Sequence, residues 1–580
     1  MRLLIPAVGL LVLLLVVLRW SDPSPRAELT VAYSDIKTLD PQLVSAMLDV
    51  RVSYSLFEGL CTFDPATMAV LPGVAERWDL SEDRRTYTFH LREDARWSNG
   101  DAVTAWDFRE AWRLALMPDL GPPPYVGFLY FIDGAEAYGK WCLKTLMAIR
   151  EAGDDADKIA MAKRRAANSE AKFDELVAVK VVDDRTLEVR LKLPTPYFLD
   201  IVACWPMFPV HRATMARMTT VDENSYNLHR DPTWVHPETI VGNGPYRLAR
   251  WVFKREMFLE ASETYWNREA VGPQTVRMVH YRTTSAAFHA YETGKVDLVF
   301  GVGSLAFAPE LLEAQRAGER NDVHEVSNFG TYYYVLNCRE KLSSGRDNPL
   351  ADARVRQALN LALDKEEIVP NVQRIKPVVA RSFTPPGGLG PDYDHPKGLG
   401  YDPDRARDLL AEAGYAGGEG LGPLDLTYNT NQGHGPLVQA VAHAWNKELG
   451  IAVETSSKEW KVFLADRNSG NFTVARSGWF GDYGDATTFL DLFLPTNNNN
   501  DSGFDDEAYT ALMDEAAREA DAGRRLELLA EAERIVIEER PVMVPMYHYK
   551  LIHLFDPDRL GGVSLHPRGM QMFYRMRVLN

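Results

Sequence analysis

LFEGLCTFDPATMAVLPGVAERWDLSEDRRTYTFHLREDARWSNGDAVTAWDF, residues 56–108, is the stretch that decides the architecture of this chain. It opens at the end of a helical segment, expected over residues 50–60, that stops at Gly59. YTFHLRED, residues 87–94, alternates apolar and polar side chains as a half-buried strand does. WSNG, residues 97–100, is a turn signal, because Asn-Gly adopts positive φ at little cost. Thr104 precedes AWDFREAWRLAL, and Asp107 three residues on completes the S/T-x-x-D/E pattern of a helix start.

Outward from this stretch the pattern changes twice. On its N-terminal side ELTVAYSDIKTLDP reads as a strand ended by Asp40-Pro41. On its C-terminal side residues 136–176 are rich in Ala, Lys, Arg and Glu, which predicts a solvated helical pair and not a basic binding patch. LVAVKVVDDRTLEVRLKLP returns to strands around an Asp-Asp-Arg turn, and residues 241–262 give a turn followed by paired strands. QTVRMVHY and KVDLVF bracket a short helix closed by Gly294, a β-α-β unit. TYYYVLN, residues 331–337, is a buried-type strand, and residues 351–369 form an amphipathic helix. Strand and helix then alternate to about residue 545. This predicts an α/β lobe with a mainly parallel sheet, the earlier part being α+β. The fold class is therefore α/β of the mixed α+β kind.

The chain has 580 residues, 46% hydrophobic and 25% charged, which gives ample material for several cores and rules out disorder for the bulk of it. Its net charge of −17 lacks the basic stripe that nucleic acid requires, so no nucleic-acid partner is expected. Residues 3–18 are an apolar run after Arg2, the pattern of an export signal. No small-x-small cleavage site stands out before Ser21, so cleavage and retention as a membrane anchor both stay open. Cys61, Cys142, Cys204 and Cys338 are too far apart for a C-x-x-C motif, and free buried thiols are the simplest reading.

Enzyme signatures are missing. The sequence has no G-x-x-x-x-G-K-[ST] loop, no H-E-x-x-H helix and no G-x-S-x-G elbow. Gly301-Val302-Gly303 lacks the third glycine of a dinucleotide turn. Asp482 and Asp485 are close enough to suggest a hydrolytic pair or calcium ligands, but nothing else completes either site. We expect no catalytic residue, no cofactor and no metal.

Several segments, in order from about residue 28 to the C-terminus, resemble the extracytoplasmic solute-binding proteins that deliver oligopeptides to ABC importers. These are residues 56–108, GNGPYRL, ASETYWN, DARVRQALNLALDKEEI and KEWKVFLADRNSGNFTVARSGWFGDYGDATTFLDLF (residues 458–493). The resemblance implies a three-lobed periplasmic-binding-protein fold whose two main lobes close on ligand by a hinge. Residues 1–27 would be signal or anchor and linker. Lobe I would be residues 28–57, 193–329 and 549–580; lobe II 58–192; and lobe III 330–548. The stretch 138–172 would be an insertion. The implied partners are an oligopeptide and the importer's permease subunits, with the receptor a monomer at the outer face of the cytoplasmic membrane or in the periplasm.

A receptor for many peptides must hold main chain tightly and side chains loosely. Strand addition supplies hydrogen bonds independent of peptide sequence, and a buried ammonium needs a carboxylate. The resemblance assigns that carboxylate to Asp482 in GWFGDY, and the peptide-pairing strand to Gly478, Trp479 and Phe480. It makes Trp479 and Trp460 pocket walls and Tyr125, after PPP, a residue covering the ligand. Arg476, and His434 in the NQGHG loop, would meet the peptide's C-terminal carboxylate. Ser45 stands where an acidic residue occurs in the family. Alternatives within the same fold are a receptor for a dipeptide, a metal chelate, haem or an oligosaccharide, or a membrane-tethered peptide sensor or chaperone.

Overall fold

The computed structural model of the protein describes residues 27–120, 125–430 and 433–579. The expected export segment lies outside them. Among the described residues no helix is long and apolar enough to cross a membrane.

The elements that position the site are as follows. Strands β1 (Leu29–Tyr33), β2 (Ala75–Leu80), β3 (Thr86–Leu91), β4 (Val179–Asp183) and β5 (Thr186–Arg190) come first. Then come β6 (Tyr246–Val252), β7 (Glu256–Ala261), β8 (Thr275–His280), β9 (Leu298–Val299) and β10 (Val323–Leu336). The last are β11 (Leu424–Asn429), β12 (Val453–Lys458), β13 (Val474–Phe480) and β14 (Met543–Phe555). The helices needed here are α1 (Met47–Leu56), α2 (Ala105–Ala115), α3 (Ala135–Glu151), α4 (Asp155–Leu176), α5 (His434–Leu449) and α6 (Trp460–Asn468).

The helix expected to stop at Gly59 ends earlier, at Leu56, where Phe57 turns extended, but the turn, strand and cap signals that follow hold. Gly100 takes φ +93° and closes the turn, with Trp97 N–H on the Asp101 carbonyl at 2.8 Å. The Thr104 backbone N–H donates to the Asp107 carboxylate at 2.8 Å, one half of a capping box that starts α2. β2, β3, β5 and β4 form a four-stranded antiparallel sheet in that spatial order.

The helical pair is α3 and α4, with Asp154 capping α4 by accepting the Asp157 N–H at 2.8 Å. Only its outer face is solvated. Arg165 is buried and makes a forked pair with Asp119, at 2.7 and 3.0 Å, and Arg113 of α2 donates to Ser169 at 2.6 Å. Charge-assisted bonds therefore dock the hairpin onto α2.

The main sheet has eleven strands, ten of them in the order β6-β7-β8-β1-β9-β14-β10-β13-β11-β12, with Val378–Val379 paired onto β14. The expected β-α-β unit is present as β8, a helix (Thr284–Glu292) and β9, with β1 inserted parallel between the two strands. The expectation of a mainly parallel sheet after residue 330 is corrected. β11 is parallel to β12 and β13, but β10 is antiparallel to both β13 and β14. Residues 329–336 are buried throughout, so their unbroken apolar run looks like a parallel strand although its neighbours run the other way.

β10 and β14 are the long strands of this sheet. Their pairing breaks register between Ser327 and Thr331: Val323–Ser327 pair with the C-terminal half of β14, Thr331–Val335 with its N-terminal half. Across the break the Phe329 N–H donates to the Pro567 carbonyl at 2.9 Å, and its carbonyl accepts the Gly481 N–H at 2.8 Å. Cys61, Cys142, Cys204 and Cys338 are all free thiols, the first three fully buried.

Candidate functional site

A cavity of about 430 Å³ lies where these segments meet. Its walls include Ser45 and Arg51 around α1, Tyr125, Asn328 and Phe329 at the register break, and Phe480 to Asp482 after β13.

The loop after β13 is pinned on every side except one. The Asp482 N–H donates to Thr488 Oγ1 at 2.9 Å. The Gly484 N–H donates to Asp200 at 3.1 Å, and Asp200 also holds Arg568. Asp485 is buried in a forked pair with Arg525, at 2.6 and 2.9 Å, and also accepts the Thr487 N–H. The two aspartates therefore share no site: Asp485 is satisfied by its arginine, while among the described residues the Asp482 carboxylate has no hydrogen bond or ion pair. It lines the cavity, and burial alone raises its pKa from 3.8 to about 7. Tyr125 also lines the cavity and packs edge-on against Trp205 at 5.1 Å. Burial, and then the charge of Asp482, push its phenol pKa up.

β13 presents an open edge. It pairs with β10 along its whole length but with β11 only at Val474 and Ala475. Among the described residues no strand covers the other edge of residues 476–480. Side chains alternate along it, so Arg476, Gly478 and Phe480 share a face. Phe480 stacks on Tyr549 at 4.6 Å, and a Cβ on Gly478 would stand 2.5 Å from the Tyr549 hydroxyl. Glycine is needed there for that close approach.

Trp479 faces the other way. Its indole N–H donates to the Thr488 carbonyl at 2.7 Å, so the ring braces the Asp482 loop and does not line the cavity. Trp460 opens α6 and is 47% exposed, beside Phe463 and also outside the cavity lining.

Arg476 and His434 come together in a second polar group. Arg476 donates to the Tyr549 hydroxyl at 3.0 Å and lies over the Tyr332 ring at 4.8 Å. It has no ion pair among the described residues, and its Nε is buried without a partner. His434 Nδ1 is 3.3 Å from the Tyr332 hydroxyl. Burial, then the Arg476 charge, lower its pKa to about 4, so the ring is neutral at neutral pH. His434, expected in the NQGHG loop, is the first residue of α5, the helix that the sequence HGPLVQAVAHAWNKELG predicts. Pro436 is compatible with a first helical turn, and Leu437, Val438 and Val441 bury the face behind it.

Sequence reasoning missed Arg51, Phe300, His553 and Arg568, which also line the cavity. Only Arg51 carries a local signal, a lone cation among the apolar residues of DVRVSYSL. Among the described residues no cluster of His, Cys, Asp or Glu is arranged to hold a metal ion.

Comparison with known proteins gives four findings. The family model described as bacterial extracellular solute-binding proteins, family 5 Middle, matches residues 69–501. The periplasmic oligopeptide-binding protein OppA of Salmonella typhimurium is 32% identical over 535 residues, 92% of this chain and 88% of that protein. Among solved structures, the unliganded open form of the periplasmic murein tripeptide binding protein MppA superposes with a TM-score of 0.75 at 28% identity, covering 96% of this chain and 98% of that one. The Haemophilus influenzae OppA complex with RPPGFSPFR superposes with a TM-score of 0.69 at 26% identity, covering 96% and 100%.

Proposed function

Because the chain belongs to the bacterial extracellular solute-binding proteins of family 5, we propose that it is an extracytoplasmic receptor that binds oligopeptides by their backbone and terminal charges and hands them to the permease subunits of an ABC importer. One observation carries the peptide assignment: Asp482 is an ionisable carboxylate in a cavity wall with no partner among the described residues, while its neighbour Asp485 is paired. A peptide α-ammonium supplies the missing charge. The open edge of residues 476–480 offers backbone bonds to any sequence, and Arg476 offers a forked donor to a carboxylate beyond it.

In this reading lobe I is residues 28–57, 193–329 and 549–580, lobe II is 58–192 and lobe III is 330–548. Lobes I and III close by bending where the pairing of β10 and β14 breaks register. The receptor acts as a monomer, outside the cytoplasmic membrane, exported or anchored by residues 3–18. It binds and does not catalyse: Asp485 is held by Arg525 and does not line the cavity with Asp482.

Mass spectrometry of small molecules released on denaturing the purified protein tests the ligand class. Co-purified peptides are expected; consistent recovery of a metal chelate or a sugar overturns the assignment. Small-angle scattering tests the hinge. A smaller radius of gyration at peptide saturation is expected, and an unchanged one counts against closure.

A further inference from the structure

Three side chains of the cavity wall have no role in the reading above. Arg51 projects from α1, Phe300 follows β9 and His553 belongs to β14. They are stacked. The Arg51 guanidinium lies 3.8 Å from the centre of the Phe300 ring, and His553 meets the same ring edge-on at 5.1 Å.

Both polar members of this stack are buried and unsatisfied. Arg51 is 8% exposed, yet its guanidinium makes no hydrogen bond or ion pair among the described residues, and its Nε has no partner. Burial lowers its pKa to about 10, which still leaves it a cation at neutral pH. His553 is 1% exposed and accepts the Gly301 N–H at Nδ1, at 3.3 Å. The proton of the neutral ring therefore sits on Nε2, and Nε2 also has no partner. Burial, then the Arg51 charge, hold the ring neutral, with a pKa of about 3.

Buried polar groups are nearly always hydrogen-bonded, and a cation buried without a counter-charge costs more than a neutral group does. Here every orphan is a donor. A neutral carbonyl would satisfy the donors alone, but a flat anionic acceptor answers the donors and the buried charge together. A carboxylate matches the fork of a guanidinium in shape as well as charge.

The geometry points to Arg51, assisted by His553, as a carboxylate-binding site in the ligand cavity, separate from Asp482 and from the Arg476–His434 group. It rests on the peptide reading and sharpens it, because it makes the receptor favour peptides with a carboxylate close to the N-terminal ammonium. Two sources share that chemistry: an acidic side chain near the N-terminus, or the α-carboxylate of a very short peptide.

Titration calorimetry on the full chain separates them. The baseline probe is Ala-Ala-Ala-Ala-amide. One arm places Glu at positions one to three of that amide. The other compares di- and trialanine as free acids with their amides. In the wild type at least one carboxylate-bearing probe is expected to bind about 10- to 100-fold more tightly than its uncharged counterpart. Arg51→Met should abolish that gain, read as the ratio of each charged probe to its uncharged counterpart in the same variant. Arg51→Lys should keep part of it, since it keeps charge and stem but loses the fork. A melting curve of empty Arg51→Met no lower than wild type shows that the fold is intact, as expected when an unpaired buried charge is removed. A baseline probe that binds with no gain in either arm, or a gain that survives Arg51→Met, overturns the Arg51 site alone. Failure of every peptide to bind overturns the receptor reading, and the site with it.

Discussion

Tyr197 and Tyr483 lie face to face, ring centroids 4.9 Å apart and planes 5° from parallel. Tyr483 is buried and follows Asp482 directly, so the placement of that carboxylate is set by a ring from a segment distant in sequence. Tyr483→Ala should cost about 3–5 kcal/mol in urea unfolding, the usual loss for a buried aromatic residue. The pair should be coupled by about 0.5–1.5 kcal/mol in a double-mutant cycle with Tyr197→Ala. Strictly additive losses would mean that the rings do not support one another.

If Asp482 meets the peptide ammonium, Asp482→Ala leaves a positive charge unpaired in the cleft. Such truncations cost about 2–5 kcal/mol, or roughly 30- to several-thousand-fold in affinity. N-acetylated peptides should already bind weakly to the wild type and lose little more in the variant. Calorimetry on the four combinations reads the non-additivity. Independent, additive weakening by acetylation and mutation would remove Asp482 from this role.

The pKa of about 7 at Asp482 gives peptide binding a pH profile. Below pH 7 the empty carboxyl is protonated, so binding must expel a proton, and affinity should fall by up to about tenfold per pH unit. Above about pH 8 the peptide loses its own α-ammonium charge. Affinity should therefore peak between these limits, and Asp482→Asn should flatten the acid side. Stability of the empty protein runs the other way. A carboxyl raised from 3.8 to about 7 favours folding fully below its ordinary value, and that contribution is lost as pH rises through 7. Melting curves of wild type and Asp482→Asn should converge near pH 4, with the variant the more stable at pH 8. A variant less stable at pH 8 would contradict a desolvated carboxylate.

Asp485 has the opposite character. Asp485→Ala strands the buried Arg525 guanidinium and should cost about 3–5 kcal/mol, whereas replacing both partners by Leu and Met should cost much less. Equal losses in the single and double variants, by chemical denaturation, would show that the pair is not an isolated unit.

Much of this was legible because it is local. The Asn-Gly turn and the Thr104–Asp107 box each lie within a few residues, and their physics needs no partner from elsewhere. Asp482 stands out in the sequence only through the segment GWFGDY around it. The direction of β10 was not legible, because a strand buried throughout gives the same apolar run in either orientation. Nor did the sequence say which way Trp479 points: strand alternation puts it opposite Phe480, although the two are adjacent in the motif. Arg51 and His553 lie near opposite ends of the chain, and only the fold brings them to one ring. His434 stands at the border of the NQGHG loop and the helix after it, and burial of Leu437 and Val441 outweighs the low helix propensity of Gly435.

Phe329 is joined through its backbone to Gly481 on one wall of the cavity and to Pro567, one residue before Arg568, on another, and it sits where the long strands lose register. Three walls thus share a single fixed point. In the hinge reading they would move together, because a bend at this one point displaces all three. The size of whatever occupies the cavity would then be passed to every wall at once, and a surface that recognises the loaded receptor would read that shared displacement.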